Sequence, residues 1–203
     1  MAIVLKGKNI LSLDDLSDKE IRYLLNTAGD LKAKKAAGIE DDELLPRKVF
    51  AYFGGDNLTE HRFCIETACF DEGAHLIAAG LNQIGGRYAG ITGVAGNYTS
   101  ALVFDGLQQS ELLSLAEVSP VPIINFASDK EWPIDTLSTV MTLESHTGTP
   151  VEDLYPDIEG LGGKALFAAA VAGKLEDFDL MEQRANNLHV IKAVLCAVTG
   201  CRI

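Results

Sequence analysis

"KVFAYFGGDNLTEHRFCIETACFDEGAHLIAAG", Lys48 to Gly80, holds a complete strand–loop–helix–strand unit. Lys48–Phe53 is an aromatic, apolar run closed by two glycines, which marks a buried strand. Asn57-Leu-Thr-Glu60 has the spacing of a capping box. The helix it opens should run to about Gly73, a residue suited to the position just past a helix end. "HLIAA" (75–79) reads as a second strand. A glycine loop before a helix start is a good anion cradle, because unpaired backbone N–H groups point outward there. This loop is lined with acid instead: Asp56, Glu60 and His61 accompany a single arginine, Arg62.

The same alternation extends in both directions. Ser17-Asp-Lys-Glu20 is another capping box, followed by Ile21, Leu24, Leu25, Ala28 and Leu31 at helical spacing. Downstream, "ALVFD" (101–105) and "VPIINF" (121–126) read as strands, and "SELLSLAEV" as a helix. "WPIDTLSTVMTLESH" reads as a helix with Pro133 at its first position. The stretch "GLNQIGGRYAGITGVAGNY" is too rich in glycine to be assigned a helix. Residues 147–163, rich in Gly, Pro and acid, read as a linker, followed by a helix in "KALFAAAVAG". A long closing helix spans about Asp179 to Thr199, with Leu180, Ala185, Leu188, Ile191, Val194 and Leu195 along one stripe. The expected fold class is α/β: a three-layer, doubly wound parallel sheet with helices on both faces.

At 203 residues the chain suits one domain, or one with an appendage. Its net charge of −12 and scattered arginines exclude a basic face, so neither nucleic acid nor anionic membrane is expected as a partner. The start "MAIVLKGKNI" is too short and polar for a signal peptide. No apolar run approaches the ~20 residues that span a bilayer. Cys64, Cys69, Cys196 and Cys201 form no CxxC pair and no metal-ligand spacing, so free thiols and a cytoplasmic location are expected.

Several segments resemble the ornithine and aspartate carbamoyltransferases. "NILSLDDLSDKEIRYLLNTAGDLKAKKAAG" is similar to the family's first helix, and "FGGDNLTEHRFCIETACFDEGAHLIAAG" to its phosphate-loop segment, normally Phe-Glu-Lys-x-Ser-Thr-Arg-Thr-Arg. "NQIGG" (82–86) looks like the loop that members lend to a neighbouring subunit's site. "VPIINFASDKEWPIDTLSTVMTLESH" matches the segment that carries the family's His-Pro-x-Gln signature, and "QRANNLHVIKAVLCAV" (183–198) its C-terminal helix. The resemblance implies a carbamoyltransferase-like N-terminal domain over residues 1–146. It further implies that 147–178 stand in for the amino-acid-binding domain, and that 179–203 form a helix completing the first domain. A homotrimer with the site shared between subunits is implied too, with Gln83 reaching across.

Laid over the family's Ser-Thr-Arg-Thr-Arg, this chain reads Leu58, Thr59, Glu60, His61, Arg62. A further family arginine falls on Asp105, His-Pro-x-Gln falls on Trp132-Pro133-Ile134-Asp135, and the arginine of the C-terminal helix falls on Asn187. Carboxylate in place of guanidinium repels a phosphate dianion, so carbamoyl phosphate is not expected to bind. Each acid also has an ordinary explanation: Glu60 and Asp135 as first-turn acids, Asp105 as a strand-end turn residue, His61 as a solvated histidine and Trp132 as packing. Jointly they occupy the strand ends and helix starts where doubly wound sheets hold ligands. The reading is a re-tooled pocket for a small cationic or nitrogen-rich molecule. Its expected catalytic groups are Glu60, His61, Asp105 and Asp135, performing hydrolysis, elimination or isomerisation without a cofactor. Clustered carboxylates should raise one acid's pKa. Asp56, Asn57, Thr59, Arg62, Gln83, Trp132 and Asn187 would bind the ligand. The alternatives are an inactive trimeric binding or regulatory module, and a site that holds Mg²⁺ through its acids.

Overall fold

The computed structural model describes residues 4–39, 43–55, 59–174 and 178–201. Among them four strands form one parallel sheet in the order β2-β1-β3-β4: β1 Val49–Gly54, β2 His75–Gly80, β3 Ala101–Leu107 and β4 Ile123–Ser128. Beyond β4, Ile10 extends the ladder by donating to the Ile123 carbonyl at 2.9 Å and accepting from the Asn125 amide at 2.8 Å. The read strands are all present. β4 starts two residues late because Pro122 lacks the amide proton a ladder needs.

Alternate strand residues serve opposite faces, as the two-residue pleat requires. Phe50, Tyr52, Val103, Ile124 and Phe126 meet a thick helical layer. It comprises α1 (Asp18–Ala36), α2 (Glu60–Asp71), α6 (Pro133–Thr147), α8 (Leu161–Ala172) and α9 (Leu180–Thr199). Ala51, Phe53, Leu102, Phe104 and Ile123 meet the other layer: α3 (Leu81–Ile84), α4 (Tyr88–Ala95) and α5 (Gln109–Val118). The three-layer α/β fold is therefore as expected. Ser17 closes a full capping box with Glu20 at the start of α1.

Three segments depart from their sequence reading. The glycine-rich stretch folds as α3 and α4, split where Gly85 and Gly86 take positive φ (+59° and +74°). Burial of Ile84 and Ile91 against the second face outweighs the glycine penalty. The linker contains a short helix, α7 (Val151–Leu154), pinned by buried Val151 and by Arg22, which ion-pairs with both Glu144 and Glu152. In α9, Ile191, Val194 and Leu195 are buried as expected, but Leu180 is half exposed and Ala185 is exposed. The first half of that helix buries Gln183, Asn186 and Asn187 instead, and from His189 to Val198 it is enclosed on every side. Its polar half faces the place where α2 and α6 begin.

No helix among the described residues is long and apolar enough to cross a membrane.

Candidate functional site

Three elements converge at the C-terminal end of the sheet, the edge where such folds place ligands. β3 supplies Asp105 at a bulge: the register with β4 shifts between Phe104 and Asp105, and again between Asp105 and Leu107. Gly106, at φ +91°, makes this turn of the backbone possible. Asp105 is thus not a strand-end turn residue, because β3 continues to Leu107 and the bulge aims the carboxylate inward, 8% exposed. α2 supplies His61 and α6 supplies Asp135, with Trp132 as N-cap and Pro133 at the first position as read.

The three side chains meet. His61 lies between the carboxylates, with Nδ1 3.1 Å from Asp105 Oδ2 and Nε2 3.6 Å from Asp135 Oδ2. Its ring stacks on Phe126, centroids 4.3 Å apart and planes 23° apart. The Tyr52 hydroxyl donates to Asp105 Oδ2 at 2.5 Å, and Asn187 Nδ2 donates to Asp135 Oδ1 at 2.7 Å. Burial opposes charge on His61, but its contacts to Asp105 and Asp135 outweigh that penalty and push its pKa up to about 10. The imidazole is therefore a cation at neutral pH. The proton donor of the cluster is thus the histidine that lies between the two carboxylates. Burial, reinforced by Asp105, also pushes the Tyr52 phenol upward, which keeps it a hydrogen-bond donor.

The other acid is balanced as well. Glu60 ion-pairs with Arg184 of α9 at 3.2 Å, and both are largely exposed. Thr59 is the observed N-cap of α2, accepting from the Arg62 amide at 3.2 Å. Glu60 thus opens the helix at its first position, rather than the third position that a capping box would give it. Arg62 turns aside to Glu66 at 2.8 Å. Gln83 is exposed on α3, and Trp132 is half exposed. The aromatic face that covers the His61 ring belongs to Phe126. Asp56 and Asn57, expected to bind ligand, lie outside the described residues.

Beside the carboxylates opens a cavity of about 450 Å³ between α2, α6, α8 and α9, lined by Glu60, Asp135, Gln183 and Arg184 among others. The sequence reading missed Tyr52, Phe126, Gln183 and Arg184. Tyr52 had a usable signal, a hydroxyl near the end of an otherwise apolar strand, since a buried tyrosine seeks a partner. Among the described residues no group of three or more His, Cys, Asp or Glu side chains is arranged to hold a metal ion.

Comparison with known proteins fits this architecture. Residues 8–145 match the family model for the aspartate/ornithine carbamoyltransferase carbamoyl-P binding domain. A catabolic ornithine carbamoyltransferase of Clostridium perfringens is 35% identical over 156 residues, covering 76% of this chain and 47% of that protein. One from Mycoplasma capricolum is 37% identical over 152 residues, covering 73% and 48%. The chain spans about half the length of these curated relatives. Among solved structures, ornithine carbamoyltransferase from Pyrococcus furiosus aligns with a TM-score of 0.79 at 18% identity, covering 98% of this chain and 99% of that one, a likeness of fold. The match of the family model over most of the sheet and its helices places this chain in the aspartate/ornithine carbamoyltransferase family.

Proposed function

We propose that this family member has exchanged anion binding for recognition of a small cationic or nitrogen-rich molecule, and that it does not bind carbamoyl phosphate. The observation that carries the reading is His61 held between Asp105 and Asp135. A phosphate dianion entering here meets two carboxylates, while both ring nitrogens of His61 are already engaged by them. Arg62 and Arg184 are each engaged by glutamates. Asp135 lines the cavity, so it meets the ligand and accepts an N–H or a proton, with the imidazolium as the adjacent proton store. Hydrolysis, elimination or isomerisation would use that transfer.

The test is calorimetric titration with carbamoyl phosphate, beside mass spectrometry of any co-purified small molecule. The expected result is no heat from carbamoyl phosphate and a nitrogenous ligand lost in Asp135→Asn. Saturable carbamoyl phosphate binding at micromolar to low millimolar concentration would defeat the reading.

The raised pKa of His61 favours a second reading, because a proton held so firmly suits binding more than turnover. In that case the protein is a binding or regulatory module with the same ligand class. A homotrimer sharing the site goes with either reading, since Gln83 stands exposed just beyond β2 and the retained half is the carbamoyl-phosphate-binding-domain fold. Light scattering that reports a monomer at micromolar concentration would remove it.

A further inference from the structure

The cavity beside Asp135 has two chemically different sides. One carries Glu60, Asp135 and Arg184, a net formal charge of −1. The other is apolar: Ala169 and Ala172 on α8, then Phe178 and Leu180 at the entry to α9. The apolar surface continues outward at the α9 start, where Leu180 is 51% exposed and Met181 72%. At about 450 Å³ the space is that of a small organic ligand rather than of a bare ion. Asn187 holds Asp135 in place by donating from its Nδ2 to the carboxylate Oδ1 at 2.7 Å.

We propose that this groove between α8 and α9 takes an organic monocation bearing an apolar tail, with its N–H donors on Asp135 and Glu60 and its tail along Ala169, Ala172, Phe178 and Leu180. This rests on the cation reading above and adds the substrate class. The ion pair between Glu60 and Arg184 sets the charge: with Arg184 already present, one further positive group completes neutrality and a dication overshoots it. Small side chains at 169 and 172 leave the width for a methylene chain. Each methylene removed from water contributes about 0.8 kcal/mol.

The test uses n-alkylammonium ions from methyl to hexyl, with n-alkanols and n-alkanoates of equal length, titrated calorimetrically into the intact protein. Each added methylene is expected to tighten ammonium binding by about threefold to fourfold until the groove is filled. Alcohols and carboxylates should bind at least tenfold more weakly. Leu180→Ser, at a half-exposed position, should reduce the gain per methylene without changing methylammonium affinity. Ala169→Leu should abolish the gain by filling the groove. Ammonium binding that is independent of chain length, in the wild type, would overturn the tail assignment while leaving the cation reading standing. Absence of binding by every ammonium ion, or preference for the alkanoates, would overturn both.

Discussion

The two ends of α2 hold the same arrangement of charges and treat it differently. At its start, the His61 imidazolium sits between Asp105 and Asp135 at 3.1 and 3.6 Å. At its end, the Lys192 ammonium of α9 sits between Asp71 and Glu72 at 2.7 and 2.9 Å, with Lys35 adding a second contact to Asp71 at 3.2 Å. Lys192 is raised in pKa despite a burial penalty, and it never changes charge near neutrality. It is a clamp between α9 and α2. His61 is raised to about 10 from an ordinary value near 6.5, and it has a stacked ring on one face and one longer contact, to Asp135. The comparison shows what separates a structural ion cluster from a candidate site: short contacts satisfied on both sides, against a titratable cation with one slack partner beside a cavity.

The largest effect should come from breaking the clamp. Lys192→Met leaves Asp71 and Glu72 facing each other with the buried cation gone, and loss of one partner of a buried pair typically costs about 3–5 kcal/mol. Denaturant unfolding should show this drop, while ligand affinity at the other end of α2 stays unchanged. A loss below about 1 kcal/mol would mean that the two ends are not so different, because the clamp would then behave as a surface pair.

The second effect is a stability profile with pH. The folded pKa of His61, about 10, lies above its ordinary value near 6.5. The stability it contributes is therefore full below about pH 6.5 and is lost as pH rises towards 10. His189 has the opposite sign. Burial first, then the nearby lysines, push its pKa down to about 4, so the unfolded chain takes up a proton that the fold refuses. Stability from this group falls as pH drops from 6.5 to 4. Thermal melts should accordingly peak near pH 6–7. Asp105→Asn should bring the His61 titration, followed by NMR, down by at least one unit and flatten the alkaline slope alone. An unchanged alkaline slope in that variant would show that Asp105 does not hold the proton.

Much of this was legible in the sequence. The alternation of strands and helices followed from apolar runs, caps and Pro133, and His61, Asp105 and Asp135 were singled out before their meeting was visible. What the sequence could not convey is how they meet. Nothing in "ALVFD" announces that the strand bulges at Asp105 and runs on through a positive-φ glycine. The stripe drawn along α9 went wrong at Leu180 and Ala185 because periodicity assumes an apolar core along the whole helix. Its first turns instead bury amides that bond to α6: Asn186 to Thr142 at 2.9 Å and Asn187 to Asp135. Tertiary partners, not local pattern, set which face is inside. Arg184 was likewise invisible, since its glutamate lies more than a hundred residues away in the chain.

The smallest effect sharpens the comparison within the site itself, between an acid that caps a helix and one that meets a ligand. Glu60 is on the first turn of α2, where a negative charge is worth about 0.3–1 kcal/mol against the helix dipole. Its pairing with Arg184 is largely exposed and adds little more. Thr59, the N-cap, supplies a hydrogen bond whose removal typically costs about 1 kcal/mol. Thr59→Ala should therefore destabilise the protein more than Glu60→Gln, although only the second removes a charge from the cavity. The order should reverse in ligand binding: Glu60→Gln should weaken binding of a cation severalfold, and Thr59→Ala should leave it within a factor of two. Paired melts and titrations on the two variants give both orders from the same samples. If Glu60→Gln costs stability and leaves affinity untouched, Glu60 belongs with the caps, and cation recognition contracts to Asp135 and the histidine behind it.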